Sequence, residues 1–367
     1  MWNVDITRQS VVVGHRRFTA EDREELCSLS REEPDEALRY VYAFLTEWFS
    51  ETSEIEVQTS GSTGVPKRMR VSKRRMMCSA CRTCGFLGLK EGDTALLCMD
   101  MKYIGAKMMV VRALVAGMCL VVRKPSSAPL ADVEEHIDFL SIVPMQLYCC
   151  VQDRKQRERL EQVRCVIVGG GAVDEPLCRR LEALPCKVYS TYGMTETLSH
   201  IALRRLNGEA ASDFYVPMDG ICLSLSACGT LVIDAPDICE GWIVTNDVVR
   251  LLEDGRFTVV GRMDNVVNSG GVKIQVEEDE LVLRQLIPVP FVLTSVPDEC
   301  LGEAMVLLVR DDLPLHEDYL RESMKVLLSR YHVPRHIIRI PQIPEAGNGK
   351  IDRKACRKVA ADMLSVR

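Results

Sequence analysis

Five short stretches bring together residue types that handle nucleotides. At 58–67 the chain reads QTSGSTGVPK, with Thr59, Ser60, Ser62 and Thr63 set around Gly61 and Gly64 and closing on Lys67. Glycines let a backbone approach a ligand closely, and amides with hydroxyls cradle anionic oxygens. A nucleotide-kinase loop needs Gly-Lys-Ser/Thr directly at a helix start. Here Val65 and Pro66 separate Gly64 from Lys67, so that motif fails, leaving a polyphosphate cradle or an ordinary polar loop. At 189–196, YSTYGMTE puts Tyr192, Gly193, Thr195 and Glu196 at the end of an expected strand, where open α/β sheets bind ligands. Tyr192 can stack on a purine. Glu196 can hold Mg2+, which takes carboxylate, phosphate and water oxygens. The plainer reading is a strand-to-helix turn with its Glu near a helix N-terminus. At 245–249, TNDVV offers Asp247 to a ribose diol, although Asn-Asp is also a common turn. GRMDNVVNSGGVKI at 261–274 and GNGKIDRK at 347–354 complete the set.

Positioning such residues needs a scaffold, and the hydrophobic pattern describes one. TAEDREEL and PDEALRYVYAFLTEWF read as helices, with acidic residues early and apolar residues at helical spacing. IEVQTS reads as a strand entering the Gly/Ser/Thr loop. Residues 72–88 form an expected helix ending at Gly88, followed by a buried strand at 93–99, a helix at 104–117 and a strand at 119–124. ADVEEHIDFLSIVP reads as a helix and then a strand stopped by Pro144, and 152–162 as a basic helix. VRCVIVGGGA and CKVYSTYGMTE are apolar strands running into turns. Strands alternating with helices indicate an α/β layer arrangement with largely parallel sheet. From 214 to 261 the strands shorten, and Glu253-Asp254-Gly255 reads as a hairpin turn, describing a small β-rich subdomain. Beyond Met263 lies a compact α+β segment of domain size. The expected fold class is thus α/β: a large N-terminal domain of mixed and parallel sheets flanked by helices, 1–262, and a small α+β C-terminal domain, 263–367.

The chain has 367 residues, of which 47% are apolar and 27% charged, the balance of a soluble globular protein. A net charge of −6 from 46 basic and 52 acidic residues leaves no electrostatic footprint for nucleic acid or anionic membrane. MWNVDITRQSVVVGHRRF has no apolar core of a secretory signal. The most apolar window, 108–122, is broken by Arg112 and is too short to span a bilayer. The expectations are a cytoplasmic protein with small-molecule partners, no nucleic-acid partner and no membrane insertion; oligomeric state is not readable. Sixteen cysteines lie scattered through apolar positions, as small hydrophobes do in a reducing compartment. Cys78, Cys81 and Cys84 share one face of an expected helix. Metal ligation would need a fourth ligand, so they read as free thiols.

The order of the five stretches carries a resemblance. A Ser/Thr/Gly loop ending in PK, then YGMTE, TND, GRMDNVVNSGG and NGKIDRK, spanning roughly 55–355, resembles the adenylate-forming superfamily of acyl-CoA ligases, adenylation domains and luciferases. Within it, SIVPMQLY at 141–148, MTETLSHIALRRLNG at 194–208 and DNVVNSGGVKI are most similar to the o-succinylbenzoate–CoA ligase family of menaquinone synthesis. The resemblance implies ATP and Mg2+ as cofactors and coenzyme A as co-substrate. It implies that Thr59, Ser60, Gly61, Ser62, Thr63, Gly64 and Lys67 enclose the β- and γ-phosphates, and that Gly170, Gly171 and Ala172 with Tyr192 and Gly193 line the adenine site. Thr195 would contact the α-phosphate, Glu196 would hold Mg2+, and Asp247 and Arg262 would hold the ribose. Asp264 would be the hinge of a mobile C-terminal domain whose Lys350 reaches the α-phosphate and the acid's carboxylate. Ser269, Gly270 and Gly271 would line the path of coenzyme A.

Two departures from the family pattern stand out. Little chain precedes the phosphate loop, which implies a reduced N-terminal subdomain. Tyr103 stands where many relatives carry a His. Tyr103 and Lys107, with Ser199 and His200, are the candidates for the acid pocket, against a snorkelling Lys and a core imidazole. The rival functions are a ligase for another aryl or acyl acid, a ligase that loads a carrier protein, and a non-catalytic nucleotide-binding protein. GGGA at 169–172 lacks the GxGxxG of dinucleotide-binding folds.

Overall fold

Six short runs of β-branched and aliphatic residues form the parallel centre of one sheet in the computed structural model, which describes residues 2–58, 68–345 and 351–365. The chain runs β1 (Ser10–Val13), β2 (Arg16–Thr19), α1 (Arg23–Glu32), α2 (Glu36–Trp48), β3 (Glu54–Gln58), β4 (Arg68–Ser72) and α3 (Lys73–Leu87). It continues with β5 (Thr94–Leu97), α4 (Ile104–Ala116), β6 (Cys119–Val122), β7 (Phe139–Ile142), α5 (Pro144–Gln152), α6 (Arg154–Leu160), β8 (Cys165–Val168), α7 (Glu175–Leu181), β9 (Lys187–Gly193), β10 (His200–Arg205) and β11 (Val216–Pro217). The strand order is β11-β10-β9-β8-β7-β5-β6-β1-β2. The strands from β9 to β1 in that order pair in parallel, while β2, β10 and β11 add antiparallel edges. β7 and β8 are buried along their whole length, as expected of strands covered on both faces.

Of the helices the sequence pattern describes, one does not form, and α5, α7 and a helix at Arg353–Ser365 stand where that pattern describes none. α4 is buried all round from Met108 to Ala116, a helix enclosed by the core rather than lying on it. The helix expected from ADVEEHIDF does not form. Residues 131–137 are a short turn followed by irregular chain, tied by bonds from Ala131 N to the Ala128 carbonyl and from Val133 N to the Leu130 carbonyl. Leu130, Val133 and Ile137 are buried, so their helix-like spacing reflects core contact. The Leu130 amide is held from outside by Gln156, and Glu135 is clamped by Arg123.

The chain divides into two compact units. One comprises Met1–Leu223, Ile233–Ile243 and Glu253–Arg256; the other comprises Ser224–Val232, Val244–Leu252 and Phe257–Arg367. β12 (Cys222–Leu225), β13 (Thr230–Asp234), β14 (Ile243–Leu251) and β15 (Phe257–Arg262) make a small sheet in that order. The Glu253-Asp254-Gly255 turn joins β14 to β15 as an antiparallel hairpin. The rest of the second unit is β16 (Val266–Ser269), β17 (Val272–Gln275), α8 (Val276–Leu283), β18 (Phe291–Asp298), β19 (Gly302–Arg310), α9 (Glu317–Leu327), β20 (His336–Ile340) and α10 (Arg353–Ser365). Its sheet runs β17-β16-β19-β18, with β20 added in parallel to β19, and apolar clusters cover both faces. Among the described residues no helix is long and apolar enough to cross a membrane.

Candidate active site

The carboxyl ends of β8 and β9 carry the candidate purine residues. Val168 pairs with Ser190, so the glycines that follow β8 run beside Thr191 and Tyr192. A Cβ on Gly169 would meet Thr191 Oγ1 at 2.8 Å, and that hydroxyl donates to the Val168 carbonyl at 3.2 Å. Gly170 and Gly171 lie against Val143 and Pro144 at the start of α5; Ala172 is exposed. Tyr192 is buried, its ring 5.8 Å from that of Tyr215. Asn207, which sequence reasoning did not single out, is fully buried behind this edge. Its amide nitrogen reaches the Leu181, Leu184 and Cys186 carbonyls, and its oxygen accepts from the Val188 amide. It locks the end of α7 to the start of β9.

After β9 the chain makes one 3-10 turn, Thr195–Thr197, and returns as the antiparallel strand β10. No helix follows, so Glu196 is held by a tight reversal. Three features pin it. The buried Thr197 hydroxyl accepts from the Met194 amide at 2.9 Å and donates to the Ser199 carbonyl at 2.7 Å. Gly193 admits no side chain, because a Cβ there would fall 2.3 Å from Ser199 O and 2.5 Å from His200 Cα. Leu198 sits at φ 63°, the single non-glycine residue with positive φ among the described residues, a conformation that costs about 1–3 kcal/mol. Glu196 is exposed and Thr195 half-exposed. The Glu196 carboxylate has no hydrogen-bond partner among the described residues, while its backbone carbonyl accepts from Cys239 Sγ at 3.4 Å. A carboxylate with its oxygens uncommitted fits Mg2+, which needs one or two such ligands plus water and phosphate.

Beneath the turn lies a buried polar chain. Arg112 of α4 is 1% exposed, and its Nη2 donates to Ser199 Oγ at 2.5 Å. Its Nε and Nη1 have no hydrogen-bond partner among the described residues. Ser199 Oγ lies 3.2 Å from His200 Nδ1, and His200 Nε2 lies 3.1 Å from Thr83 Oγ1. Burial pulls the Arg112 guanidinium down to about 10, offset in part by Cys84. Burial, with the Arg112 charge adding to it, drives the His200 imidazole well below its ordinary value. His200 is thus a neutral core imidazole with both nitrogens engaged. The sequence signal for Arg112 was the lone cation inside an apolar window.

Tyr103 and Lys107 stand at the start of α4. Tyr103 bridges Gln58 at the end of β3, one residue before the Gly/Ser/Thr loop. The Lys107 ammonium donates to the Glu56 carbonyl at 2.6 Å, and burial lowers its pKa, opposed by Glu47 and Glu56. The loop residues 59–67 and Lys350 lie outside the described residues. Cys78 and Cys81 are half-buried and Cys84 buried on α3; burial pushes the thiols of Cys81 and Cys84 up to about 11 and about 12.

In the second unit, Asp247 and Arg262 face each other across the β14–β15 hairpin, with Arg262 Nη1 3.7 Å from Asp247 Oδ1. Asp264 accepts from Asn246 at 3.1 Å and from Arg262 at 3.4 Å. Gly270 and Gly271 form the two-residue turn between β16 and β17, with φ of 60° and 80°. Positive φ at both positions is the type I′ hairpin turn. Arg353, at the start of α10, pairs with the buried Glu280 at 2.8 Å and donates to the Leu293 carbonyl at 3.3 Å.

Comparison with known proteins supplies the context for this arrangement. The family model described as AMP-binding enzyme matches residues 57–234. An acyl-CoA synthetase (AMP-forming)/AMP-acid ligase II-like protein from Dyadobacter fermentans is 32% identical over 92% of this chain and 98% of its own, with a TM-score of 0.63. A 2-succinylbenzoate–CoA ligase from a Geobacillus strain is 26% identical over 82% of this chain and 68% of its own. The o-succinylbenzoate CoA synthetase from Bacillus subtilis, solved with the acyl-adenylate intermediate, shares the fold with a TM-score of 0.75 at 19% identity over 95% of both chains. With this fold, and with the YGMTE reversal at the edge of its sheet, the chain belongs to the AMP-binding enzyme family of adenylate-forming ligases.

Proposed function

We propose that this protein is an ATP-dependent, AMP-forming ligase that adenylates o-succinylbenzoate and transfers the acyl group to coenzyme A. The observation that carries this reading is the Thr195–Glu196 reversal, which follows Tyr192 at the end of β9 and leaves a carboxylate with no hydrogen-bond partner among the described residues. The choice of acid is supported by the match to 2-succinylbenzoate–CoA ligases across 82–88% of the chain.

In this reading the acid's carboxylate oxygen attacks the α-phosphorus of ATP, the bond to the β-phosphate oxygen breaks, and pyrophosphate leaves. Two anions must meet, so positive charge has to lie between them, and stabilising developing charge is often the largest catalytic term. Lys350 supplies that charge from the C-terminal domain, and residues 59–67 hold the departing phosphates. Glu196 would hold Mg2+, which supplies further charge at the phosphate oxygens. Tyr192 and the 170–172 run hold adenine, Thr195 the α-phosphate, and Asp247 and Arg262 the ribose. Holding both substrates in line supplies much of the remaining acceleration. In the second step the coenzyme A thiolate attacks the acyl carbonyl carbon and AMP leaves. Lys350 would then obstruct the carbonyl, so we take the boundary between 1–262 and 263–367 as a hinge at Asp264 that exchanges the two steps.

The test is a pyrophosphate-release panel of carboxylic acids, with and without coenzyme A. Release that is selective for o-succinylbenzoate, with o-succinylbenzoyl-CoA formed when coenzyme A is present, is the expected result. Release with a different acid reassigns the substrate, and no release with any acid overturns the ligase reading.

A further inference from the structure

We propose that Tyr215 is a positioning residue for Tyr192, fixing the ring that stacks on the adenine of ATP. The proposal rests on the ligase reading for the role of Tyr192. Side chains alternate across β9, so Ser190 and Tyr192 share one face. β10 sets Arg204 opposite Ser190 and Ala202 opposite Tyr192 on that face. Ala202 is fully buried and ends at its Cβ, so little side chain separates Tyr192 from what lies beyond β10. Tyr215, the residue before β11, reaches across that gap. Its hydroxyl lies 2.9 Å from Ser190 Oγ. Its ring centroid is 5.8 Å from that of Tyr192, with the planes inclined by 59°. The Arg204 guanidinium carbon stands over the ring, 5.5 Å from the centroid. Each contact fixes direction as well as distance: hydroxyl bonds are angular, tilted ring pairs at this spacing are favourable, and a guanidinium prefers the ring face. Ser190 is 1% exposed, and a buried hydroxyl needs a partner, which Tyr215 supplies. A leucine at 215 would cover the same apolar surface with no hydroxyl to satisfy and no preferred ring angle, so packing alone does not ask for a tyrosine. A ring set before the nucleotide arrives avoids the entropy of ordering it on binding. The effect therefore falls on affinity for the base and not on the chemistry at the α-phosphorus.

The test uses the full chain in equilibrium dialysis against ATP and against ribose triphosphate, which lacks the base. In Tyr215→Leu the Kd for ATP is expected to rise about fivefold, the worth of one pre-ordered aromatic side chain, while the Kd for ribose triphosphate holds. Tyr215→Phe keeps the ring and loses the Ser190 bond, so it should fall between Tyr215→Leu and the wild type. Tyr192→Leu should cost more than Tyr215→Leu. Combining the two should cost no more than Tyr192→Leu alone, because Tyr215 acts through Tyr192. Unchanged ATP affinity in Tyr215→Leu, a loss shared equally by ribose triphosphate, or additive losses in the double variant each overturn the proposal. If Tyr215→Leu does not fold, Ser190→Ala and Tyr215→Phe decide: a rise of about threefold in the ATP Kd is expected for the lost hydroxyl bond, and no rise overturns the proposal. A wild type that binds ATP but releases no pyrophosphate with any acid removes the ligase reading and leaves the binding comparison to decide the role of Tyr215. A wild type that does not bind ATP removes both.

Discussion

His200 links burial to a measurable pH response. Its imidazole is held neutral by desolvation and by the Arg112 charge, whereas in the unfolded chain it titrates near about 6.5. Below that pH the unfolded state binds a proton that the folded state refuses, so stability falls as pH drops through it. The slope approaches about 1.4 kcal/mol per pH unit. Asp279 and Glu280 act in the opposite sense. Burial raises both, so they favour the folded state as pH falls through their window. Comparison with a His200→Gln variant removes these shared contributions. Urea unfolding between pH 6.5 and 5 should show the wild type losing about 1 kcal/mol per pH unit more than the variant; equal slopes mean the imidazole is not kept neutral. The sequence showed His200 as either pocket or core. It could not decide, because the partners Thr83, Ser199 and Arg112 arrive from α3 and α4 through tertiary packing.

At the scale of elements, the two-glycine turn between β16 and β17 separates local geometry from chemistry. Positive φ at Gly270 and Gly271 is explained by the I′ turn alone, whereas the ligase reading also asks for a bare wall along the coenzyme A path. Gly270→Asn distinguishes them. Asn-Gly is a preferred I′ pair, and a Cβ at 270 would meet Leu301 at 3.4 Å and Tyr331 at 3.9 Å, which is ordinary contact. Stability should stay within about 0.5 kcal/mol of wild type. Adenylation should be unchanged and thioester formation from a supplied acyl-adenylate should fall about tenfold or more. An unimpaired second step removes these glycines from the coenzyme A path and leaves them the turn. Most elements were legible because their patterns are local: α3 stops before Gly88, the Glu253–Gly255 turn joins a hairpin, and β8 runs apolar into its glycines. The segment 131–137 was not, because core contact at Leu130, Val133 and Ile137 imposed a helical spacing on a chain whose amide hydrogen bonds at Ala131, Val133 and Glu134 are short i→i−3 turns and a side-chain contact.

At the scale of the whole molecule, the proposed ligase needs one chain to serve two reactions. Its two demands fall on Lys350 and Asp264. Lys350→Ala should abolish acyl-adenylate formation while sparing thioester formation from supplied acyl-adenylate, since the charge is needed only where two anions meet. Asp264 is the middle residue of a 3-10 turn, Met263–Asn265, whose φ range matches the proline ring. Asp264→Pro therefore freezes a backbone rotation that a swing would require, and it also deletes the carboxylate that binds Asn246 and Arg262. Asp264→Ala deletes only the carboxylate and serves as the control. With a hinge here, one half-reaction survives in Asp264→Pro and the other drops by orders of magnitude, while Asp264→Ala keeps both. We expect adenylation to be the survivor. Measuring pyrophosphate exchange and thioester formation separately in the three variants decides it: equal losses in both steps for Asp264→Pro and for Asp264→Ala would place the effect in the ion pairs of the β14–β15 hairpin rather than in a rotation.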